Sequence, residues 1–148
     1  MKTLKILALV LVFCVLGTSS AFAAPATIDA GSVGNVSDLI VITNPPVSKA
    51  ATFDQSYIIS GYGKEGVTVT LYWLDNGTYK KSDYSWKIGA SGIFFKRVEL
   101  GKGKNDILCY AESNGSRQHV KLEITYLSTG FNDMMSGIKV DSSTIFNR

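Results

Sequence analysis

From Val67 to Trp73 every second side chain is a large apolar one, and Asn76-Gly77 follows shortly after. Val67, Val69, Leu71 and Trp73 share one face of an extended chain, while Thr68, Thr70 and Tyr72 share the other. A period of two is the geometry of a strand with one buried face; on a helix the same residues would scatter around the axis. Asn-Gly accepts the positive φ that a two-residue hairpin demands. The chain must therefore fold back on itself as antiparallel β-structure, with a return strand over residues 78–88 and a break near 81–83.

Five further strand-like runs occupy the rest of the sequence. Residues 39–43 are stopped by Asn44-Pro45-Pro46, because proline has no N–H to give a ladder. Residues 56–61 follow, then 93–100 after a glycine-containing turn. Residues 106–112 end near a second Asn-Gly pair, Asn114-Gly115, and 117–127 return with Val120, Leu122, Ile124 and Tyr126 in phase. Seven short strands at regular spacing predict an all-β antiparallel sandwich over residues 38–128. Phe131, Met134, Met135 and Ile138 stand at i, i+3, i+4 and i+7. That spacing predicts a short helical turn in the tail, 129–148, resting on the sandwich.

The first 23 residues have a different logic. Lys2 and Lys5 precede an apolar run that ends near Leu16, and Ala21-Phe22-Ala23 closes it with small residues. This is the layout of a secretory signal peptide cut after Ala23, and the run is shorter than the ~20 apolar residues a bilayer span requires. No stable membrane insertion is expected after the cut. Removing Lys2 and Lys5 lowers the formal net charge from +3 to about +1, which excludes an electrostatic grip on nucleic acid. Residues 24–37 are small and polar and read as a flexible leader. Cys109 is then the one cysteine of the mature chain, so no internal disulfide forms and the domain stands on its hydrophobic core.

A family pattern emerges from these runs. Ile59-Ser60-Gly61, then Gly66-Val67-Thr68-Val69-Thr70-Leu71-Tyr72, then Gly92-Ile93-Phe94 with Val98 and Leu100 form its first part. The run from Leu100 to Ile107, with Ala111, forms its second. Together they resemble the bacterial immunoglobulin-like domains of secreted and surface proteins. The resemblance covers about residues 36–127. It implies an immunoglobulin-like sandwich and a non-catalytic module, contacting a protein or glycan of the cell envelope or acting outside the cell. A carbohydrate-binding accessory protein and a regulator or inhibitor of a secreted enzyme are the alternatives.

Five residues read as structural. Trp73 and Phe94 face the core, and Cys109 falls inward as a small buried hydrophobe. Gly103 takes a left-handed turn at the corner between two strands, and Asn105 bonds the turn backbone through its amide. Lys96 is in phase with Phe94 and Val98, which calls for a bulge or an edge position. Tyr72, Tyr79, Trp86 and Tyr110 are the candidate ligand platform: alternation turns Tyr72 and Tyr110 away from the core, where flat rings could meet sugars or a partner protein. Tyr84, Trp86 and Ile88, in phase with each other, could equally cap the core. His119, the only histidine, reads as a solvated strand residue. No nucleophile motif, phosphate loop or metal-ligand spacing is present, so no catalytic residue, metal or cofactor is predicted.

Overall fold

The computed structural model describes residues 23–33, 38–128 and 130. The expected signal segment, save Ala23, and the expected helical turn after Gly130 lie outside the described residues. Among the described residues nine strands run in chain order: β1 (Thr27–Asp29), β2 (Ile40–Asn44), β3 (Lys49–Thr52), β4 (Ser56–Gly63), β5 (Thr68–Asp75), β6 (Thr78–Lys87), β7 (Ile93–Glu99), β8 (Gly103–Ser113) and β9 (Ser116–Tyr126). Six of them form one sheet in the order β1-β6-β5-β8-β9-β3, and three form the other as β2-β4-β7. The two sheets make the sandwich that the alternation predicts, and the seven expected strands are all present.

Local chemistry explains the connections. Asn76 and Gly77 take φ of 50° and 80°, and Asn114 and Gly115 take 49° and 80°. Asp75 pairs Thr78, and Ser113 pairs Ser116. Both hairpins therefore close with two residues at positive φ, as that turn class requires. The expected break in β6 is a bulge: the register against β5 shifts between Thr70 and Tyr72, and the Ser82 hydroxyl donates to the Leu71 carbonyl at 2.7 Å. β6 stays a single strand through it. Lys96 lies on β7, an outer strand of the three-stranded sheet, in unbroken register with β4. The edge position is the one that occurs.

Two strands escaped the sequence reading. After Pro45 and Pro46 the chain leaves the smaller sheet, and β3 joins the larger one, parallel to β9 from Lys49↔Glu123 to Thr52↔Tyr126. Its residues, Lys-Ala-Ala-Thr, carry too little apolar bulk to announce a strand. The second is β1, in the segment expected to be a flexible leader. Instead, residues 24–33 strap the larger sheet. β1 pairs antiparallel with β6, Ile28 opposite Tyr79, and Ile28 is buried. One isoleucine among small residues leaves no period to read, and only the surface beneath it gives it a place.

The interior is apolar and continuous. Ile59, Val67, Val69, Leu71, Phe94, Val98, Ile107, Cys109, Ala111 and Ile124 are buried in one cluster between the sheets. Gly61 of β4 marks how closely the strands approach, since a methyl there would overlap the Val41 carbonyl oxygen and press on the Phe94 ring.

Two buried amides close the ends. Gly103 turns with φ 82°, and Asn105 accepts from the Gly101 N–H at 2.9 Å. Its amide nitrogen donates to the carbonyls of Gly101 (2.9 Å), Gly103 (2.9 Å) and Ile124 (3.1 Å). Gln118 links the sheets: its oxygen accepts from the Leu39 and Ile40 N–H groups at 2.6 and 2.7 Å. Its nitrogen donates to the Ile40 carbonyl at 2.9 Å. Replacing Asn105 by Ala orphans buried backbone groups at the corner and should cost about 2–3 kcal/mol. Urea denaturation will show this as a lower midpoint at unchanged slope; a loss below about 0.5 kcal/mol would mean that the amide does not hold the corner.

Candidate functional site

The predicted platform is not a surface. Tyr72, Tyr79 and Tyr110 do turn away from the main core, as alternation requires, but all three are buried. They form a second apolar cluster with Ile28 and Leu108 on the outer face of the larger sheet, and Ala24, Ala30 and Val33 of the strap pack over it. The Tyr72 hydroxyl donates to the Pro25 carbonyl at 2.5 Å. The Tyr72 and Tyr110 rings meet edge to face with centroids 5.9 Å apart. Burial drives the Tyr72 phenol up to about 12, helped by the nearby Glu112 charge. Trp86 fails the expectation differently. It lies against the main core with its ring 5.7 Å from Phe94, so the capping role is the one it takes.

The structural residues stand where the sequence placed them. Phe94 is buried, and Trp73 is half-buried against the core beside Tyr84 at 5.6 Å. Cys109 is fully buried, and burial pushes its thiol from the ordinary 9.0 to about 12. Such a thiol stays protonated and is a poor nucleophile. His119 is half-buried and not simply solvated, its ring 5.3 Å from that of Tyr110. Among the described residues no group of three His, Cys, Asp or Glu side chains could hold a metal ion. No described helix is long and apolar enough to cross a membrane.

The exposed apolar surface lies on the opposite side of the molecule. Val41, Tyr62 and Ile93 form one row across β2, β4 and β7. Phe95 follows beside Ser60, and Ile58 beside Arg97. All five apolar side chains point outward, with Ile93 68% and Phe95 77% exposed. Few polar groups interrupt them: the Thr43 and Ser60 hydroxyls lie 3.4 Å apart, and Arg97 donates to the Ser56 hydroxyl at 3.1 Å. At the Arg97 end the face runs into a cleft of about 600 Å³ lined by Thr52, Gln55, Ser56, Ile58 and Glu99, among others. At the other end lies a shallow apolar depression of about 180 Å³ beside Leu39, Val41 and Tyr62.

The contrast between the two outer faces is physical. On the larger sheet, the strap covers the tyrosines, and Lys104 bridges Asp106 and Glu123 at 3.2 and 2.9 Å. On the smaller sheet, bulky apolar groups meet water in a contiguous row, an arrangement that marks interaction surfaces. The sequence held a signal for it. Ile58-Ile59 and Ile93-Phe94-Phe95 are apolar in both phases of the alternation, so each strand shows an apolar side outward whichever side is buried.

The register gives two neighbours opposite fates. Phe94→Ala empties a core position and should cost about 3–5 kcal/mol, whereas Phe95→Ala should change stability by no more than about 0.5 kcal/mol. Chemical denaturation of both variants checks this, and equal losses would overturn the facing of β7. Cys109 and Tyr72 both hold their protons more tightly folded than unfolded. Stability is therefore fully present below about pH 9 and drains away as pH rises toward about 12. Thermal melts at stepped pH will follow this loss, while a thiol reagent at pH 8 should label Cys109 only after unfolding.

No protein-family model matches the chain, and no curated protein matches it closely enough to count as a relative.

Proposed function

We propose that this chain is a secreted, non-catalytic immunoglobulin-like module that binds a protein of the cell envelope through the outer face of β2-β4-β7. The observation that carries this reading is the row Val41–Tyr62–Ile93 with Ile58 and Phe95 beside it, exposed and without polar cover. Val41, Ile58 and Ile93 are aliphatic and Tyr62 and Phe95 aromatic, so apolar groups outnumber the polar Thr43, Ser60 and Arg97 among them. A protein partner's apolar side chains need only shape from Val41, Ile58, Ile93 and Phe95, whereas a sugar would set most of its hydroxyl groups against these side chains, with only Thr43, Ser60, Tyr62 and Arg97 to receive them.

The strand order supports the immunoglobulin-like part of the reading. β2, β4 and β7 correspond to strands A, B and E of such sandwiches, and β6, β5, β8 and β9 to C′, C, F and G. Trp73 then stands on the C strand, where those domains keep a core tryptophan. Cys109 stands on the F strand, facing apolar neighbours instead of a second cysteine. The positive start, apolar run and small residues up to Ala23 support export, with Ala24 as the new terminus.

The reading is tested with purified mature chain and washed envelope fragments of the source cell in a sedimentation assay. The double variant Ile93→Asp with Phe95→Asp should keep its far-ultraviolet dichroism, because neither side chain belongs to the core between the sheets. It should bind at least about tenfold more weakly, since apolar anchors at the centre of an interface carry most of its energy. Equal binding of wild type and variant would dismiss this face as the contact.

A further inference from the structure

We infer that the outer face of β2-β4-β7 is also the docking site of the chain's own C-terminal residues, 131–148. Phe131, Met134, Met135 and Ile138 would lie across Ile58, Phe95, Tyr62 and Ile93. This rests on the proposed function and deepens it: the tethered segment is a built-in competitor for the surface the partner uses.

Three observations converge on this occupant. The first is where the chain leaves the sandwich. The Leu127 N–H donates to the Thr52 carbonyl at 2.8 Å, and Thr52 lines the same cleft as Ser56, Ile58 and Arg97. The last strand thus hands the chain over at the β3 edge of the larger sheet, beside the cleft that Ile58 and Arg97 of the smaller sheet also line. The second is reach. Residues 127–131 span up to about 13 Å when extended, and Thr52 and Ile58 line one and the same cleft.

The third is fit. From Ile58 to Tyr62 the face runs four residues of strand, about 13 Å, and three strands make it about 10 Å wide. A helical stripe from residue 131 to 138 is about 10.5 Å long on a cylinder about 10 Å across. Its spacing of i, i+3, i+4 and i+7 puts all four apolar groups on one side. Two methionines in that stripe suit a surface of uneven relief, because their unbranched side chains adapt to what they meet. A short tether raises the local concentration of such a segment to about the millimolar range. An outside partner must therefore bind well enough to displace it.

The test uses the full mature chain, isotopically labelled, with a nitroxide attached through Ser136→Cys; buried Cys109 does not compete for the label. The amide signals of Ile58, Tyr62, Ile93 and Phe95 should broaden, those of Lys81 and Lys121 on the opposite face should not, and tenfold dilution should change neither. A second variant, Met134→Asp with Met135→Asp, should raise the fluorescence of an added anilinonaphthalene sulfonate dye about threefold or more as the face is uncovered. Broadening absent from this face overturns the inference, and so does broadening that fades on dilution, which would make a second copy the occupant. A dye signal unchanged by the aspartates overturns it as well. The two readings fail separately. Should the label find no contact while Ile93→Asp with Phe95→Asp still abolishes envelope binding, the tail reading falls and the proposed function stands. If the label reports contact and envelope binding is indifferent to those aspartates, the proposed function falls and the docked tail remains.

Discussion

The central strands of the larger sheet are dry on both sides, and most of the architecture follows from that. On β5, Val69 and Leu71 enter the space between the sheets while Thr70 and Tyr72 are buried on the reverse. On β8, Ile107, Cys109 and Ala111 face inward while Leu108 and Tyr110 are buried outward. A strand buried on both faces needs a covering layer on each. The three-stranded sheet supplies one. The strap of residues 24–33 supplies the other, with Ile28 set among Tyr72, Tyr79, Leu108 and Tyr110. A domain of this size without a disulfide depends on such apolar burial for nearly all its stability.

Polar groups then decide how the layers register. Buried amides are tolerated only when their hydrogen bonds are complete, and Asn105 and Gln118 meet that condition in different ways. Asn105 works within one sheet, tying the Gly101–Gly103 corner to the Ile124 carbonyl on β9. Gln118 works between sheets, giving Ile40, the first residue of β2, backbone partners across 78 residues of chain. Directional bonds of this kind fix where an apolar layer sits, a choice that non-directional burial leaves open.

An asymmetry remains between the two outer surfaces. The larger sheet conceals its aromatic groups under the strap and shows ion pairs beyond it. The smaller sheet ends in apolar side chains that meet water. Hydrophobic burial thus explains both what is hidden and what is offered, and the functional reading lives on the second. The tyrosines that looked like a platform serve stability instead, because the segment that covers them, residues 24–33, lies far upstream of Tyr72 in what reads as featureless chain.

Local sequence is enough for the all-β class of the fold, its seven principal strands, both Asn-Gly hairpins, the Gly103 corner with its Asn105 clasp, and the inward phase of Phe94 and Cys109. These are local properties: a two-residue period and a positive φ are set by neighbours in the chain, so they can be read from it. Tertiary structure alone decided that β1 and β3 are strands, that Tyr72, Tyr79 and Tyr110 are covered, and which apolar phase of β4 and β7 reaches water. Alternation tells which side chains share a face, but not what lies against that face. Only the placement of distant segments settles whether a surface is buried or free to bind.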